Sequence, residues 1–245
     1  MDYKLFPNPV SDMCTPFVYA MDKKKYQRYY LNPNPQLIEL EFGDTGIMIA
    51  GCNYKNIIGE NIPHRKLLLA YVERYCRCNC DFRDYIKNTH VVPTFTLSKE
   101  ESFVKTVIRQ IISATQAKKL FSSFIKIFGY EKDGIYGFPN SETIAQISYN
   151  DLKYLGLGFR ARRVLAGLKM IRDGRDTSEL NGIGPWSKSI LKVEANKDYA
   201  MYPFWDKSGQ KINRFCNMNL QAVAKHNTAI AGGLYLYAAS YLESQ

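Results

Sequence analysis

Histidine is scarce in this chain, with 3 among 245 residues, and His64, His90 and His226 show no metal-ligand spacing. The paired C-x₂-C arrangement of common zinc sites is also missing. Of six cysteines (Cys14, Cys52, Cys76, Cys78, Cys80, Cys216), three crowd into Cys76-Arg77-Cys78-Asn79-Cys80. Thiols that close could bind a soft metal, but C-x-C-x-C is read here as reduced thiols near a helix end. No metal and no cofactor are expected. No stretch approaches the ~20 apolar residues of a membrane span, and the opening Met1-Asp2-Tyr3-Lys4-Leu5 lacks a basic start followed by an apolar run. The expected compartment is the cytosol, or the nucleus where the cell has one, with no membrane partner. Repeats and low-complexity tracts are absent.

What is present describes a folded protein: 46% hydrophobic and 23% charged residues, with a net charge of +10. That charge is uneven. Residues 1–98 hold 12 Lys/Arg against 10 Asp/Glu, and residues 99–245 hold 21 against 13. The second part therefore carries most of the excess, which suits either a polyanionic partner or a solubilising surface.

Residues 1–35 read as irregular, because Pro7, Pro9, Pro16, Pro33 and Pro35 interrupt most helices. Leu37–Phe42 and Ile47–Ala50 read as strands joined by the turn Gly43-Asp44-Thr45-Gly46. A helix is predicted over Arg65–Tyr75, and Val91-Val92-Pro93-Thr94 reads as a linker. From Ser98 the pattern turns helical. Ser98 with Glu101 reads as a capping box. Phe103, Val107 and Ile111, beside Val104, Ile108 and Ile112, form an apolar stripe. Further helices follow around Leu120–Phe128, after Ser141, after Asn150, and over Arg160–Arg172. The expected division is an N-terminal α+β antiparallel-sheet domain over 1–95 and a helical domain over 96–245.

The most informative segment is Leu180-Asn181-Gly182-Ile183-Gly184-Pro185-Trp186-Ser187. Asp176-Thr177-Ser178-Glu179 starts a very short helix before it. Gly182 and Gly184 can take backbone angles closed to other residues, and Pro185 suits the first position of a new helix. A helix, tight turn and helix between about 176 and 195 would aim turn amides and a helix N-terminus outward together. Phosphates use such anion sites, and contact of that kind positions a backbone without reading bases. Ile183 would anchor the turn in the core, and Lys188 and Lys192 make the second helix basic. An ordinary interhelical turn is the plainer alternative. Twenty positions after Trp186, Asp206 follows the aromatic stretch Tyr202-Pro203-Phe204-Trp205.

These residues resemble the helix-hairpin-helix DNA glycosylases, whose hairpin is followed by a Gly/Pro-rich stretch and an essential Asp. The likeness covers roughly residues 98–245. Val107-Ile108-Arg109-Gln110-Ile111-Ile112-Ser113 resembles the family helix ending in Q-x-x-S. Phe138-Pro139 through Leu155-Gly156-Leu157-Gly158 and Ala161-Arg162-Arg163 is similar to the next segment, and Ala229–Leu242 to the closing helix. The 3-methyladenine type II and 8-oxoguanine branches are nearest, since they carry an N-terminal antiparallel sheet. Leu168 and Asn181 are 13 positions apart, so the first hairpin helix is shorter than is usual in that family.

The resemblance implies a mainly α fold, orthogonal and helical, and a base-excision DNA glycosylase working as a monomer on double-stranded DNA with a damaged base. Asp206 takes the essential carboxylate role; Asp198 lies nearer the hairpin but lacks the Pro-aromatic context. Gly182, Ile183, Gly184, Trp186, Ser187 and Lys188 are the candidate DNA contacts. Gln110 and Ile111 stand at the family's wedge position, though Ile111 also fits a plain helix core. Tyr202, Phe204 and Trp205 are candidate base-pocket residues. Aromatic faces would favour alkylated purines, with uracil, hypoxanthine and 8-oxoguanine open. Where the lyase branches hold a Schiff-base Lys, this chain has Trp186, which implies a monofunctional enzyme. Lys188 offers the bifunctional alternative, and a DNA-binding module without chemistry is the third reading. With only Cys216 near the C-terminus, no iron–sulfur cluster is expected.

Overall fold

Alternating burial builds the sheet first. In a computed structural model, which describes residues 3–5, 18–20, 25–31, 34–43, 46–51, 65–76, 80–88, 96–196 and 198–244, Ile38 and Leu40 are fully buried on one face of a strand. That strand, β4 (Pro35–Gly43), lies in an antiparallel meander in the order β1 (Tyr3–Leu5), β2 (Val18–Ala20), β3 (Lys25–Leu31), β4 and β5 (Gly46–Ala50). The β4–β5 hairpin pairs Leu40 with Ile49 and closes at Gly43 and Gly46, as the alternation predicts. The expectation of an irregular stretch over 1–35 is corrected by β1, β2 and β3, none of which contains a proline, and Pro35 takes the first position of β4 opposite Leu31. The predicted linker at 91–94 lies outside the described residues.

A second hairpin was not expected from the sequence. β6 (Tyr130–Lys132) and β7 (Ile135–Gly137) turn at Asp133 and Gly134, with φ of 54° and 76°, the two-residue geometry that favours Asp-Gly. Gly137 pairs in parallel with Tyr29 of β3. A Cβ on Gly137 would stand 2.7 Å from the Tyr29 carbonyl oxygen, so only glycine permits that approach.

Among the described residues the α-helices are α1 (Arg65–Tyr75), α2 (Cys80–Asn88), α3 (Lys99–Ile108), α4 (Ala114–Phe128), α5 (Ser141–Gln146), α6 (Tyr149–Tyr154), α7 (Arg160–Arg172), α8 (Pro185–Asn196), α9 (Lys207–Cys216), α10 (Leu220–His226) and α11 (Thr228–Ser244). Ser98 caps α3, accepting from Glu101 N at 3.1 Å. The Glu101 carboxylate does not complete the expected box. It accepts a two-pronged bond from buried Arg28 at 2.8 and 3.0 Å, and another from Leu97 N. A buried guanidinium needs that fork more than a helix end needs its second cap, and the pair ties the sheet to α3. Two caps lie earlier than expected: Asn140 for α5, and Ser148, with a full capping box to Asp151, for α6.

Two apolar clusters hold these helices. One gathers Phe103, Val107, Phe121, Phe124, Leu152, Val164 and Ile183. Gly167 of α7 lets the Phe103 ring lie against its backbone, since a Cβ there would come within 2.0 Å of the ring. The other joins Leu68, Val72, Phe82 and Ile86 of α1 and α2 to Val193, Ile212, Leu234 and Ala238. This cluster draws on both sides of position 95. Cys76 is disulfide-bonded, which corrects the expectation of a reduced thiol at that position; Cys80 is a free thiol as expected, Cys216 is also free, and Cys78 lies outside the described residues.

Candidate active site and DNA interface

The first arm of the hairpin is a single 3-10 turn, Thr177–Glu179, capped by Asp176, which accepts from Ser178 N at 2.9 Å. The Ser178 hydroxyl, donating to the other carboxylate oxygen at 2.6 Å, and then this amide bond hold the Asp176 carboxyl below its usual range. The two glycines do different jobs. Gly182 takes φ 87° and lies against the Arg163 guanidinium. Gly184 does not need a positive φ; nothing lies within 4 Å of where its Cβ would stand, and it faces solvent. Its lack of a side chain leaves the outer surface of the turn open to close approach. Ile183 is buried beneath, as expected of an anchor. The first ladder bond of α8 runs from Lys188 N to Gly184 O at 3.0 Å. The amides of Trp186 and Ser187 therefore precede any intrahelical partner.

Gln110 and Ile111 part company. Gln110 is 7% exposed. Its Nε2 donates to Gly182 O at 3.0 Å and to Ser187 Oγ at 2.7 Å, while Arg163 Nη1 donates to its Oε1. Arg160, from Nε and Nη2, donates to the Gln110 carbonyl at 3.0 and 2.6 Å. Burial, then the neighbouring Arg163, pushes the Arg160 pKa down. Gln110 thus fastens the hairpin and does not project as a wedge, and the Ser187 hydroxyl is turned inward to the same network. Ile111 is 87% exposed with φ 59°. A β-branched residue in the left-handed region is strained, and it follows the last turn of α3, so the plain helix-core reading of Ile111 does not hold.

Asp206 caps α9, its Oδ1 accepting from Gly209 N at 2.6 Å. A Cβ on Gly209 would stand 2.5 Å from the Phe204 backbone, so this glycine lets the first turn of α9 press against the aromatic segment. Asp206 lines a cavity of about 240 Å³ with Trp186, Tyr202, Tyr235, Arg109 and Glu194 among its walls. Trp186, Ile190, Val193 and Glu194 occupy it together, at i, i+4, i+7 and i+8 on one face of α8. Lys188 and Lys192 face a different cavity, with Lys99 and Arg175. Two of the aromatic candidates sit elsewhere: Phe204 is core, edge-on to Tyr235 at 5.7 Å, and Trp205 is 48% exposed outside the cavity. Tyr202 does line it, stacked on Tyr235 at 4.5 Å.

A charged floor was missed from the sequence. Glu194, 1% exposed, accepts from Arg109 Nη1 at 2.8 Å and lies 3.3 Å from Lys105 Nζ. The Arg109 guanidinium stands 5.8 Å from the Trp186 ring centroid. The i, i+4, i+8 spacing of Trp186, Ile190 and Glu194 carried the signal for the acid. Among the described residues, no cluster of His, Cys, Asp or Glu could hold a metal, and no helix is long and apolar enough to cross a membrane.

No family model matches the chain. Among solved structures, the 3-methyladenine DNA glycosylase from Archaeoglobus fulgidus superposes with a TM-score of 0.68 at 16% identity, over 96% of this chain and 92% of that one. The Clostridium acetobutylicum 8-oxoguanine glycosylase/lyase, in complex with double-stranded DNA, gives 0.65 at 13% identity, over 96% and 89%. The fold is that of these two solved DNA glycosylases. Its class is as expected, mainly α with an N-terminal antiparallel sheet. In sequence, the chain is 30% identical over 101 residues to the Bacillus subtilis (strain 168) protein YfjP, whose assignment as a DNA-3-methyladenine glycosylase is itself provisional; the match spans 34% of this chain and 35% of that protein.

Proposed function

We propose that this chain is a monofunctional DNA glycosylase that hydrolyses the N-glycosidic bond of a damaged purine, with Asp206 as the catalytic carboxylate. The observation that carries the reading is the sharing of one cavity by Asp206 and Trp186, the latter in the first turn of the hairpin's helix. A backbone-gripping element and the Asp206 carboxylate thus meet at a concave, aromatic-walled site. The names of the structural neighbours and of YfjP support the same class of chemistry.

In this reading the Gly182–Gly184 turn and the α8 amides grip a phosphate. The damaged base leaves the stack and enters the cavity, while Ile111 fills the gap as an apolar wedge. As the base departs with the bonding electron pair, positive charge grows on the deoxyribose. Asp206 stabilises that charge and orients a water toward C1′. Its bond from Gly209 N fixes the carboxylate before the charge develops. Trp186, Tyr202 and Tyr235 give the base flat aromatic neighbours, which puts alkylated purines first among substrates to test. Lys188, facing the other cavity, is turned away from any sugar beside Asp206, so no Schiff base and no strand cleavage follow.

The test is excision of single defined lesions from duplex DNA by wild type and Asp206→Asn. Excision lost with binding retained supports the reading. Equal excision by both removes Asp206 from the chemistry, and none by either, with binding retained, leaves a DNA-binding module. A covalent adduct trapped by borohydride and abolished by Lys188→Ala would instead establish the lyase.

A further inference from the structure

Resting on the glycosylase reading, we infer that Arg109 reads the base in the cavity and selects 6-oxo purines, hypoxanthine or an alkylated guanine, over 6-amino purines. The guanidinium lines the same cavity as Asp206, is 32% exposed at its side chain, and lies 5.8 Å from the Trp186 ring. It is not a loose surface cation. Glu194 holds it at 2.8 Å from a position 1% exposed, and Lys105, fully buried, lies 3.3 Å from that acid's second oxygen. One nitrogen of the guanidinium is therefore tethered to the floor of the cavity before a base arrives.

Arginine has only donors to offer, five N–H groups and no acceptor. A 6-oxo purine presents an oxygen acceptor where a 6-amino purine presents an N–H donor, and guanidinium pairing with the oxo edge is the commonest specific contact to a base. An amino group set against the guanidinium would place donor against donor. Arg109 follows the C-terminus of α3 and precedes Gln110, whose bonds to Gly182 and Ser187 lock the backbone there to the hairpin. The reader and the phosphate grip consequently share one rigid connection. A base-reading side chain and a catalytic carboxylate then border the same cavity, from different helix ends.

Binding of the full chain separates the two bases without chemistry. The probes are duplexes carrying 2′-fluoro-2′-deoxyinosine opposite cytosine or 2′-fluoro-2′-deoxyadenosine opposite thymine. The fluorine blocks cleavage, and each pair has two hydrogen bonds to break. Arg109→Met is expected to weaken inosine binding on the order of 10-fold and adenosine binding less than about 2-fold. Because wild type and variant are compared within each duplex, the cost of flipping cancels. Arg109→Gln, also able to accept, is the second variant should the methionine form fail to fold, and is expected to narrow the same difference. Equal losses for both duplexes, or none for either, overturn the assignment. The same bases without fluorine report excision independently. Selective binding without excision removes the glycosylase reading and keeps the role of Arg109; excision with equal losses does the reverse.

Discussion

The side-chain amide of Gln110 donates to the carbonyl of Gly182 at 3.0 Å, joining the end of α3 to the turn of the hairpin 72 positions further along the chain. The same Nε2 reaches Ser187 Oγ in the first turn of α8. One carboxamide thus holds the two segments that would contact DNA, the exposed Ile111 and the open turn at Gly184, in a fixed relation.

Removing that carboxamide should cost both stability and binding. Gln110→Ala leaves the Gly182 carbonyl, the Ser187 hydroxyl and the Arg163 guanidinium short of a partner, and a stranded buried polar group costs about 1–3 kcal/mol. Chemical denaturation should show a loss of that order. Affinity for undamaged duplexes should fall too, whatever their sequence, because the hairpin contact is sequence-independent. A variant as stable as wild type, with unchanged duplex binding, would show that the clamp is not needed.

Much of this arrangement was legible from local chemistry. The run from Leu180 to Ser187 gives its turn through Gly182, its anchor through Ile183 and its helix start through Pro185, because each depends on neighbours in sequence. The opposite faces of Trp186 and Lys188 follow from helical periodicity alone. What stayed hidden depends on partners far apart in the chain. Nothing near Gln110 says that its amide would meet Gly182, and Arg28 and Glu101 are 73 positions apart. Phe204 and Trp205 read as pocket residues because aromatic residues look alike in sequence, whether they fill a core or wall a cavity. The Asp-Gly pair at 133–134 was a readable hairpin signal, masked by the helical pattern around it.

Gly209 carries a prediction about the carboxylate. An added methyl at this position meets the Phe204 backbone at 2.5 Å, which cannot yield as a flexible side-chain tip could. Gly209→Ala should push the first turn of α9 outward and with it the amide that holds Asp206 Oδ1. A displacement near 1 Å at a reacting group can cost on the order of 10²-fold in rate. Single-turnover excision should therefore slow by about that factor while duplex affinity, supplied by the hairpin, stays close to wild type. Parallel losses in rate and affinity would point to general disruption and not to a misplaced Asp206.

Ile111 sets stability against function most sharply. A β-branched side chain at φ 59° is strained by about 1–3 kcal/mol, and with 87% of its surface exposed it recovers little of that through burial. Asparagine is tolerated in the left-handed region without the added chain entropy that glycine brings. Ile111→Asn should consequently raise the unfolding free energy by about 1 kcal/mol, read from denaturant midpoints at constant slope. If the apolar side chain is the wedge, the same variant should bind lesion duplexes more weakly and excise more slowly, because an amide is a poor filler for the space a flipped base leaves. Arg160 and Gln110 hold the backbone on the preceding side in either case, so the loop conformation itself should persist. Strain kept at an exposed position with no packing gain is the mark of a residue retained for what it does to another molecule. A variant that is more stable and equally active would leave that strain without a purpose and remove Ile111 from the mechanism.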